Sequence, residues 1–580
     1  MSERNGQKMT GAQALIAALE DTGVETIFGY PGGQAIRIYD ALYDSKMHHV
    51  LVRHEQGATH AADGYARATG KTGTVIVTSG PGATNTVTGI ATAYMDSIPL
   101  VVISGQVPLT SLGSDAFQES DITGITMPIV KHSYLVRDAS KIAQTVAEAY
   151  HIASTGRPGP VVIDMPSNLL TEVVTYNYPA EVKLQSYKPT YKGNSKQVKQ
   201  AVSALTKAKK PVIYCGGGVL WSHACQDLMK LSDTLQIPCV VSLMAKGVFH
   251  EDKDLCLGLV GMHGSRAANM ALYESDLIFA VGTRFADRVT GTLEKFAPNA
   301  RVVHIDIDPA EIGKNRSVDI PIVGDAKIVL SAINEELAQK NTAPKTQEWV
   351  ERVLQWKRES PFYYEAREDA ILPEQVLDVL SQKTQDRDTI YTTEVGQHQM
   401  WAAQYLKCTR SREFISSGGA GTMGFGLPAA MGAQMGKPES RVVCIAGDGS
   451  VQMNIQEMAT IRENNLPIKL VILDNNCLGM VHQWQELFYD KRYSSTIFSF
   501  TPDFVALGKA YGWEGKSISK PQELDAALQE MLDSDQPYVL HVKIPASENV
   551  YPMIPGGKAV TDMIGAVVLD ADGNKIEKGA

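Results

Sequence analysis

The chain lacks the marks of covalent or metallic reinforcement. Its seven cysteines, at 215, 225, 239, 256, 408, 444 and 477, are scattered and include no Cys-x-x-Cys pair. Neither a disulfide scaffold nor a zinc cluster is therefore expected. No segment offers the run of about 18 apolar residues that a membrane span requires, and the stretch Met1 to Thr10 is polar, without the apolar centre of a secretory leader. The expected location is cytoplasmic. Clustered Lys and Arg are also missing, and the formal net charge is -10, which argues against a nucleic-acid or anionic-lipid surface. Small molecules are the expected partners.

What is present is an ordinary globular composition, 44% hydrophobic and 20% charged over 580 residues, too long for a single core. Three domains are expected. The informative pattern is a weak internal repeat. In the first copy Gly64-Tyr65-Ala66-Arg67-Ala68-Thr69-Gly70 leads into the apolar run Thr74 to Thr78, then Gly80-Pro81-Gly82, a helical stretch, and the run Leu100 to Ser104. In the second, Gly426 to Gly436 leads into Arg441 to Ala446, then Gly447-Asp448-Gly449, a helical stretch, and Ile468 to Leu473. Such apolar runs, each followed by a Gly-rich turn and a helix, predict buried parallel strands with crossover helices.

Aligning Gly70 with Gly436 places Glu55 opposite Gly421, each 15 positions earlier, while matching the turns Gly80-Pro81-Gly82 and Gly447-Asp448-Gly449 puts Asp448 where the first copy has Pro81. We read one ancestral unit divided into two roles. Between the copies, polar stretches at Thr171 to Ser195 and Gln339 to Arg367 are expected to be linkers without a clear strand. They bracket a third parallel sheet, signalled by Pro211 to Cys215 before Gly216-Gly217-Gly218, by Leu277 to Val281 before Gly282, and by Val302 to Asp306.

Asp448 and Asn475 both follow predicted strands, 27 positions apart. The carboxyl edge of an α/β sheet is where ligands bind, and glycine turns let backbone approach phosphate oxygens there. One carboxylate, one amide oxygen and a turn carbonyl are hard donors suited to Mg²⁺ shared with a diphosphate. Gly-Asp-Gly alone is more often a plain turn; the strand context and the paired Asn favour the metal.

The run from Gly447-Asp448-Gly449 to Asn475-Asn476 resembles the signature of thiamin-diphosphate enzymes, with the departure that Asp474 stands where an apolar residue is common. The resemblance implies Mg²⁺ ligated by Asp448, Asn475 and the Cys477 carbonyl. It also implies a cofactor-activating carboxylate, and Glu55 in Arg53-His54-Glu55-Gln56-Gly57 matches it. Ser417 to Gly426 resembles the loop under the pyrimidine ring, in which Gly421 accepts from the ring's amino group and Met423 wedges the ring.

More specific motifs resemble the acetohydroxyacid synthase (acetolactate synthase) family from Gly11 to about Pro552. They are Phe28-Gly29-Tyr30-Pro31-Gly32-Gly33, Ala116-Phe117-Gln118-Glu119, Gly156-Arg157-Pro158-Gly159-Pro160, Gly261-Met262-His263-Gly264 and Met480-Val481-His482-Gln483-Trp484-Gln485. The resemblance implies an α/β fold of three doubly wound parallel-sheet domains: a pyrimidine domain (1–175), a middle FAD-associated domain (190–340) and a diphosphate domain (370–553), then a tail (554–580). The tail's glycines and charges fit either a cover for the active site or an unstructured end.

The implied thiamin-diphosphate contacts are Tyr30, Pro31, Gly32, Gly33, Pro81, Asn85, Gln118, Val395, Gly396, Gln397, His398, Gly421, Met423, Gly447, Asp448, Gly449, Ser450, Asn475, Leu478, Gly479 and Met480. The implied FAD contacts are Arg157, Gly216, Gly217, Gly218, Leu243, Met244, Met262, His263, Gly264, Gly282, Arg284, Asp306, Ile307, Gly324 and Asp325. Glu55, Gln118, Lys131, Met423, Arg288 and Trp484 match residues at the reacting centre, with Arg288 on the acceptor carboxylate and Trp484 favouring the larger acceptor. Ala286 replaces an Asp usual in the family.

The family decarboxylates pyruvate and transfers a hydroxyethyl unit to a second 2-keto acid, pyruvate or 2-ketobutyrate, in branched-chain amino-acid synthesis. It does so as a homodimer or tetramer, with sites between subunits and a separate small regulatory subunit. The alternatives are an FAD-dependent pyruvate oxidase, a catabolic acetolactate synthase without FAD, and a non-catalytic flavin- or ADP-binding structural protein.

Overall fold

The computed structural model describes residues 2–340, 345–570 and 572–576. Parts of the expected linker and tail, at 341–344, 571 and 577–580, lie outside the described residues. Three six-stranded, all-parallel sheets carry the fold. The first runs in the order His48–Leu51, Thr26–Tyr30, Gly73–Val77, Leu100–Gln106, Val161–Pro166, His132–Leu135. The third runs Phe414–Ile415, Thr389–Thr393, Arg441–Gly447, Lys469–Asp474, Tyr538–Lys543, Glu514–Ile518. Numbered along the chain, both follow the order 2-1-3-4-6-5, so the repeat seen in the sequence is a repeat of topology.

The middle sheet follows a different order, Cys256–Leu259, Cys239–Val241, Pro211–Cys215, Leu277–Val281, Arg301–Asp306, Ile320–Val323. This is 3-2-1-4-5-6, the doubly wound order that opens a crevice at the carboxyl ends of its two central strands.

The two repeated domains share a core. Helix Glu55–Thr69 lies directly on helix Gly426–Gly436, and Phe28, Val75 and Ala62 pack in one cluster with Phe425, Met431 and Val442. Each large side chain buried there contributes about 1.5–3 kcal/mol. The close crossing depends on glycine: a Cβ at Gly432 would stand 1.7 Å from the Ala61 carbonyl oxygen, and one at Gly64 would stand 2.2 Å from that of Ala429.

Both expected linkers carry structure that polar composition concealed. In the first, Val173–Thr175 pairs antiparallel with Lys8–Thr10 and ties the N-terminus down. In the second, Gln347–Glu359 is a helix whose Trp349, Val353 and Trp356 form one stripe buried in the middle domain. Three apolar residues at spacings of four and three make a helical face whatever the charge of the rest. The described part of the tail is folded back on the molecule: Met553 and Ile564 bridge, and Leu569 N–H donates to the Glu359 carbonyl. Among the described residues no helix is long and apolar enough to cross a membrane.

Candidate active site

In the third sheet the strand order reverses between Thr389–Thr393 and Arg441–Gly447, where a crevice must open at the carboxyl edge. A cavity of about 100 Å³ lies there, lined by Val395, Gly396, Gln397, His398, Trp401, Met423, Gly447, Asp448, Gly449, Ser450, Leu473, Asn475, Cys477, Leu478, Gly479, Met480 and Val481. Trp401, Leu473 and Val481 are its only residues not assigned a role from sequence. Trp401 had a signal, one helical turn beyond Gln397. The turns are glycine because side chains already fill the space: a Cβ at Gly447 would lie 2.8 Å from His398 Nδ1, and one at Gly479 would lie 2.1 Å from Gln397 Oε1.

The electrostatics of this cavity call for a cation. Asp448 is 1% exposed, and its Oδ2 atom has no hydrogen-bond partner. Burial, and then the charge of Asp474 beside it, push the Asp448 carboxyl well above the usual carboxylate range. Burial also acts to raise Asp474, but hydrogen bonds from His541 Nε2 at 2.8 Å and Asn476 N–H at 3.0 Å outweigh it and hold Asp474 ionised. A buried, unpartnered carboxylate facing a second, fixed negative charge is a site that a divalent ion would relieve. Burial, then the Asp448 and Asp474 charges, push the Cys477 thiol to about 12. Among the described residues no group of three or more His, Cys, Asp and Glu side chains is arranged for a metal.

The loop from Ser417 to Gly424 reaches this cavity through Met423, and the first domain pins it. Asp96 accepts from the backbone N–H groups of Gly418 and Gly419 at 3.0 and 2.7 Å, and Arg67, held by Asp63 and Asp96, donates to the Ser416 carbonyl. Glu394 accepts from Gly424 and Leu427 N–H, and burial pushes its carboxyl up to about 7. Gly421 sits at φ 65, the left-handed region that favours glycine. Sequence reasoning assigned no role to Asp96, Arg67 or Glu394, because the first two act across domains and Glu394 acts on backbone 30 and 33 residues away.

Glu55 occupies the matching edge of the first sheet. It opens helix Glu55–Thr69, is buried, and accepts from Asn85 Nδ2 at 2.9 Å. Pro81 begins the short helix Pro81–Thr84, and a Cβ at Gly82 would stand 3.4 Å from Glu55 Oε1. Thr78 Oγ1 and Ser79 Oγ beside it are buried without partners. Gly32 packs on Thr78, and Gln118 closes over Gly80 with its own φ at 61, an uncommon conformation for a non-glycine residue. Tyr30 and Phe117 stand exposed around this half-site, as Met453 and Val481 do around the other. No residue of the first domain lines the Asp448 cavity, so the structure gathers the candidates into two half-sites rather than one.

Three further candidates stand apart from both half-sites. The Lys131 ammonium donates to the Ile152 carbonyl, to the Thr155 carbonyl at 2.8 Å and to Tyr187 Oη at 2.9 Å. All its donors are spent inside the fold, and burial followed by the Arg157 charge lowers it to about 7. Arg288 is exposed and forms no ion pair among the described residues, Asp287 included, while its carbonyl accepts from Met262 N–H. Trp484, on helix Gly479–Phe488, meets Phe488 edge-on, and Gly556 of the tail approaches it.

In the middle domain Gly216 to Gly218, Leu243 and Met244, Met262 to Gly264, Gly282 and Arg284, Ile307, Gly324 and Asp325 all follow the carboxyl ends of the six strands, and Asp306 ends the fifth. At the central crevice a Cβ on Gly216 would stand 2.2 Å from the Gly282 carbonyl oxygen. Burial pushes Asp306 up to about 7. Burial lowers His263 and His304 to about 4 and keeps both neutral. Arg157, the one contributor from another domain, pairs with Asp308 and Glu311.

Three family models match the chain in succession. Residues 9–125 match the thiamine pyrophosphate enzyme N-terminal TPP binding domain, residues 198–333 its central domain, and residues 394–542 its C-terminal TPP binding domain. The acetolactate synthase isozyme 3 large subunit of Escherichia coli is 47% identical over 566 residues, covering 96% of this chain and 98% of that protein. The acetolactate synthase large subunit of Parasynechococcus marenigrum is 49% identical, with 96% and 91% covered. The probable acetolactate synthase large subunit of Methanococcus aeolicus is 48% identical, with 96% of each covered. The chain belongs to the acetolactate synthase large-subunit family of thiamine pyrophosphate enzymes.

Proposed function

We propose that this chain is an acetolactate synthase catalytic subunit, which joins the two-carbon unit left by pyruvate decarboxylation to pyruvate or 2-ketobutyrate. Its products are then 2-acetolactate and 2-aceto-2-hydroxybutyrate, precursors of branched-chain amino acids. The observation that carries this reading is the Asp448 cavity: a glycine-lined crevice at a sheet reversal, holding an unpartnered buried carboxylate, in a chain of this family. Neither the oxidase nor the structural-protein reading is favoured, since the curated relatives are synthases.

Thiamin diphosphate supplies a nucleophilic carbon once deprotonated. The residues of this chain prepare for it. Asp448, Asn475 and the Cys477 carbonyl would hold Mg²⁺ against the diphosphate, and the N–H groups at Gly447 to Ser450 and Leu478 to Met480 would meet its oxygens. Met423 would wedge the pyrimidine, with the Gly421 carbonyl accepting from its amino group. Glu55 would hold and return a proton at the pyrimidine ring, a contribution of about 10²–10⁴-fold. Asn85, which already donates to Glu55, fixes the direction of that carboxylate. Gln118 and Trp484 would border the acceptor, and the exposed Arg288 would meet its carboxylate.

Glu55 lines no part of its own chain's cavity, so a second copy would supply it, making the enzyme a homodimer or a pair of dimers. The exposed Tyr30, Phe117, Met453 and Val481 are the apolar surface such a contact would cover. The crevice at Gly216, Gly282 and Asp306 fits FAD bound without net redox work. A small regulatory subunit and a cytoplasmic location complete the reading.

The test is product analysis with pyruvate and 2-ketobutyrate together, plus thiamin diphosphate, Mg²⁺ and FAD, with Glu55→Gln as control. Acetohydroxy acids that vanish in the variant are expected. Acetate or acetyl phosphate with reduced flavin would replace this reading by the oxidase.

A further inference from the structure

The buried amides beside the metal cavity form a chain with a direction. Asn475 Nδ2 donates to Gln397 Oε1 at 3.1 Å. Gln397 Nε2 donates to Gln483 Oε1 at 2.9 Å and to the Glu548 carbonyl at 3.1 Å. Gln483 is gripped at both ends by one residue of the following segment: its Oε1 accepts from Val550 N–H at 2.9 Å, and its Nε2 donates to the Val550 carbonyl at 3.2 Å. All three side chains are buried, Gln483 completely.

A side-chain amide can turn end for end, exchanging donor and acceptor, but a backbone N–H cannot become an acceptor. Val550 therefore decides which end of Gln483 is oxygen. Gln483 and the Glu548 carbonyl then decide which end of Gln397 is nitrogen, and Gln397 Oε1 in turn requires the nitrogen of Asn475. The remaining atom, Asn475 Oδ1, is left for the cavity, where it now meets only the Cys477 N–H at 3.3 Å. Reversing any link would oppose two donors or two acceptors in a buried site, at about 1–3 kcal/mol for each unpaired group.

We propose that Gln483 is a positioning residue for the metal: through Gln397 it carries the fixed polarity of the 548–550 backbone to Asn475 and presents that residue's oxygen to the ion. This rests on the reading of Asp448 and Asn475 as metal ligands. Gly479 leaves room for the relay, because a Cβ there would stand 2.1 Å from Gln397 Oε1 and 2.7 Å from Asn475 Nδ2. The relay also joins the metal to helix Gly479–Phe488, which bears Trp484, and to the start of the tail.

The test is a titration of the full-length chain with Mn²⁺ in the presence of thiamin diphosphate, read by electron paramagnetic resonance. Gln483→Met fills the same space but carries no polarity, and should weaken Mn²⁺ binding by about tenfold, the scale of supporting-shell effects. Gln397→Met should weaken it at least as much, and the double variant no further than Gln397→Met alone, because both break one chain. Gln483→Glu still accepts from Gln397 and Val550 and, when protonated, still donates to the Val550 carbonyl; it should bind within about threefold of the parent. Gly479→Ala reaches the relay from another side and should weaken binding even where Gln483→Met does not fold.

Parent-like affinity in Gln483→Met, losses that multiply in the double variant, or a Glu variant as impaired as the Met variant would each overturn the relay. If Asp448→Asn binds Mn²⁺ as tightly as the parent, the metal assignment itself falls instead.

Discussion

Removing the Asp448 charge should make the metal-free chain more stable, although it destroys the proposed metal site. Asp448 is buried, its Oδ2 is unpartnered, and Asp474 beside it is kept ionised by His541 and Asn476. An uncompensated buried charge costs about 3–5 kcal/mol. Taking up a proton limits this to 1.36 kcal/mol per pH unit above the unfolded value, about 4–5 kcal/mol between pH 7 and 8 for a carboxyl pushed up to about 8. An amide at this position would keep the shape without the charge. The sign follows from the raised carboxyl: its folded form holds a proton that the unfolded chain releases near pH 4, so metal-free stability is highest below that pH and falls as pH rises towards the raised value.

The assay is thermal unfolding of metal-stripped parent and Asp448→Asn across pH 5 to 8. The variant should melt higher at pH 8 by about 8–20 °C, taking 2–4 °C per kcal/mol for units of this size, and the gap should narrow towards pH 5. Adding Mg²⁺ with thiamin diphosphate at 100 times the dissociation constant should raise the parent by about 2.7 kcal/mol and leave the variant unmoved. A variant that melts below the parent at pH 8, or a gap independent of pH, would refute the electrostatic account of the cavity.

Glu55→Gln should retain cofactor binding, measured by fluorescence quenching, while kcat falls by about 10²–10⁴-fold. Gly432→Ala forces a Cβ to within 1.7 Å of the Ala61 carbonyl and should cost about 1–3 kcal/mol, seen as a lower denaturant midpoint. Lys131→Met strands the carbonyls of Ile152 and Thr155; it should lower thermal stability and leave KM for pyruvate unchanged, whereas a Lys131 that touches substrate would raise KM. Trp484→Leu should narrow discrimination between 2-ketobutyrate and pyruvate by about 1–3 kcal/mol, read from the product ratio in competition.

The sequence made the fold class legible because buried parallel strands announce themselves twice, as apolar runs without alternation and as the glycine turns that end them. Arg441–Gly447 before Asp448 and Lys469–Asp474 before Asn475 are of this kind, and most residues lining the Asp448 cavity lie within a few positions of such strand ends. The same reasoning failed where structure is made by few residues in polar surroundings. Three apolar side chains hold helix Gln347–Glu359 on the middle domain, and three residues suffice for Val173–Thr175. Polar composition measures what faces water, and in a two-sided element that is most of the segment.

Legibility also stops at distance. Asp448 can be named from its neighbours in sequence, but its charge state is set first by burial and then by Asp474, which is held in turn by His541, 67 residues further on. Glu394 and Asp96 hold the loop that carries Met423 from 30 and 322 residues away in sequence. A local motif marks where a ligand atom begins; the direction in which that atom faces is settled by contacts that only the closed fold creates. Asn475 is the sharpest instance. Its identity is written in the two residues Asn475-Asn476, but the choice of oxygen over nitrogen towards the cavity is made by the backbone of Glu548 and Val550, through Gln397 and Gln483. Substitutions in the segment after Tyr538–Lys543 that leave every motif intact should therefore still act on the metal, provided they displace that backbone.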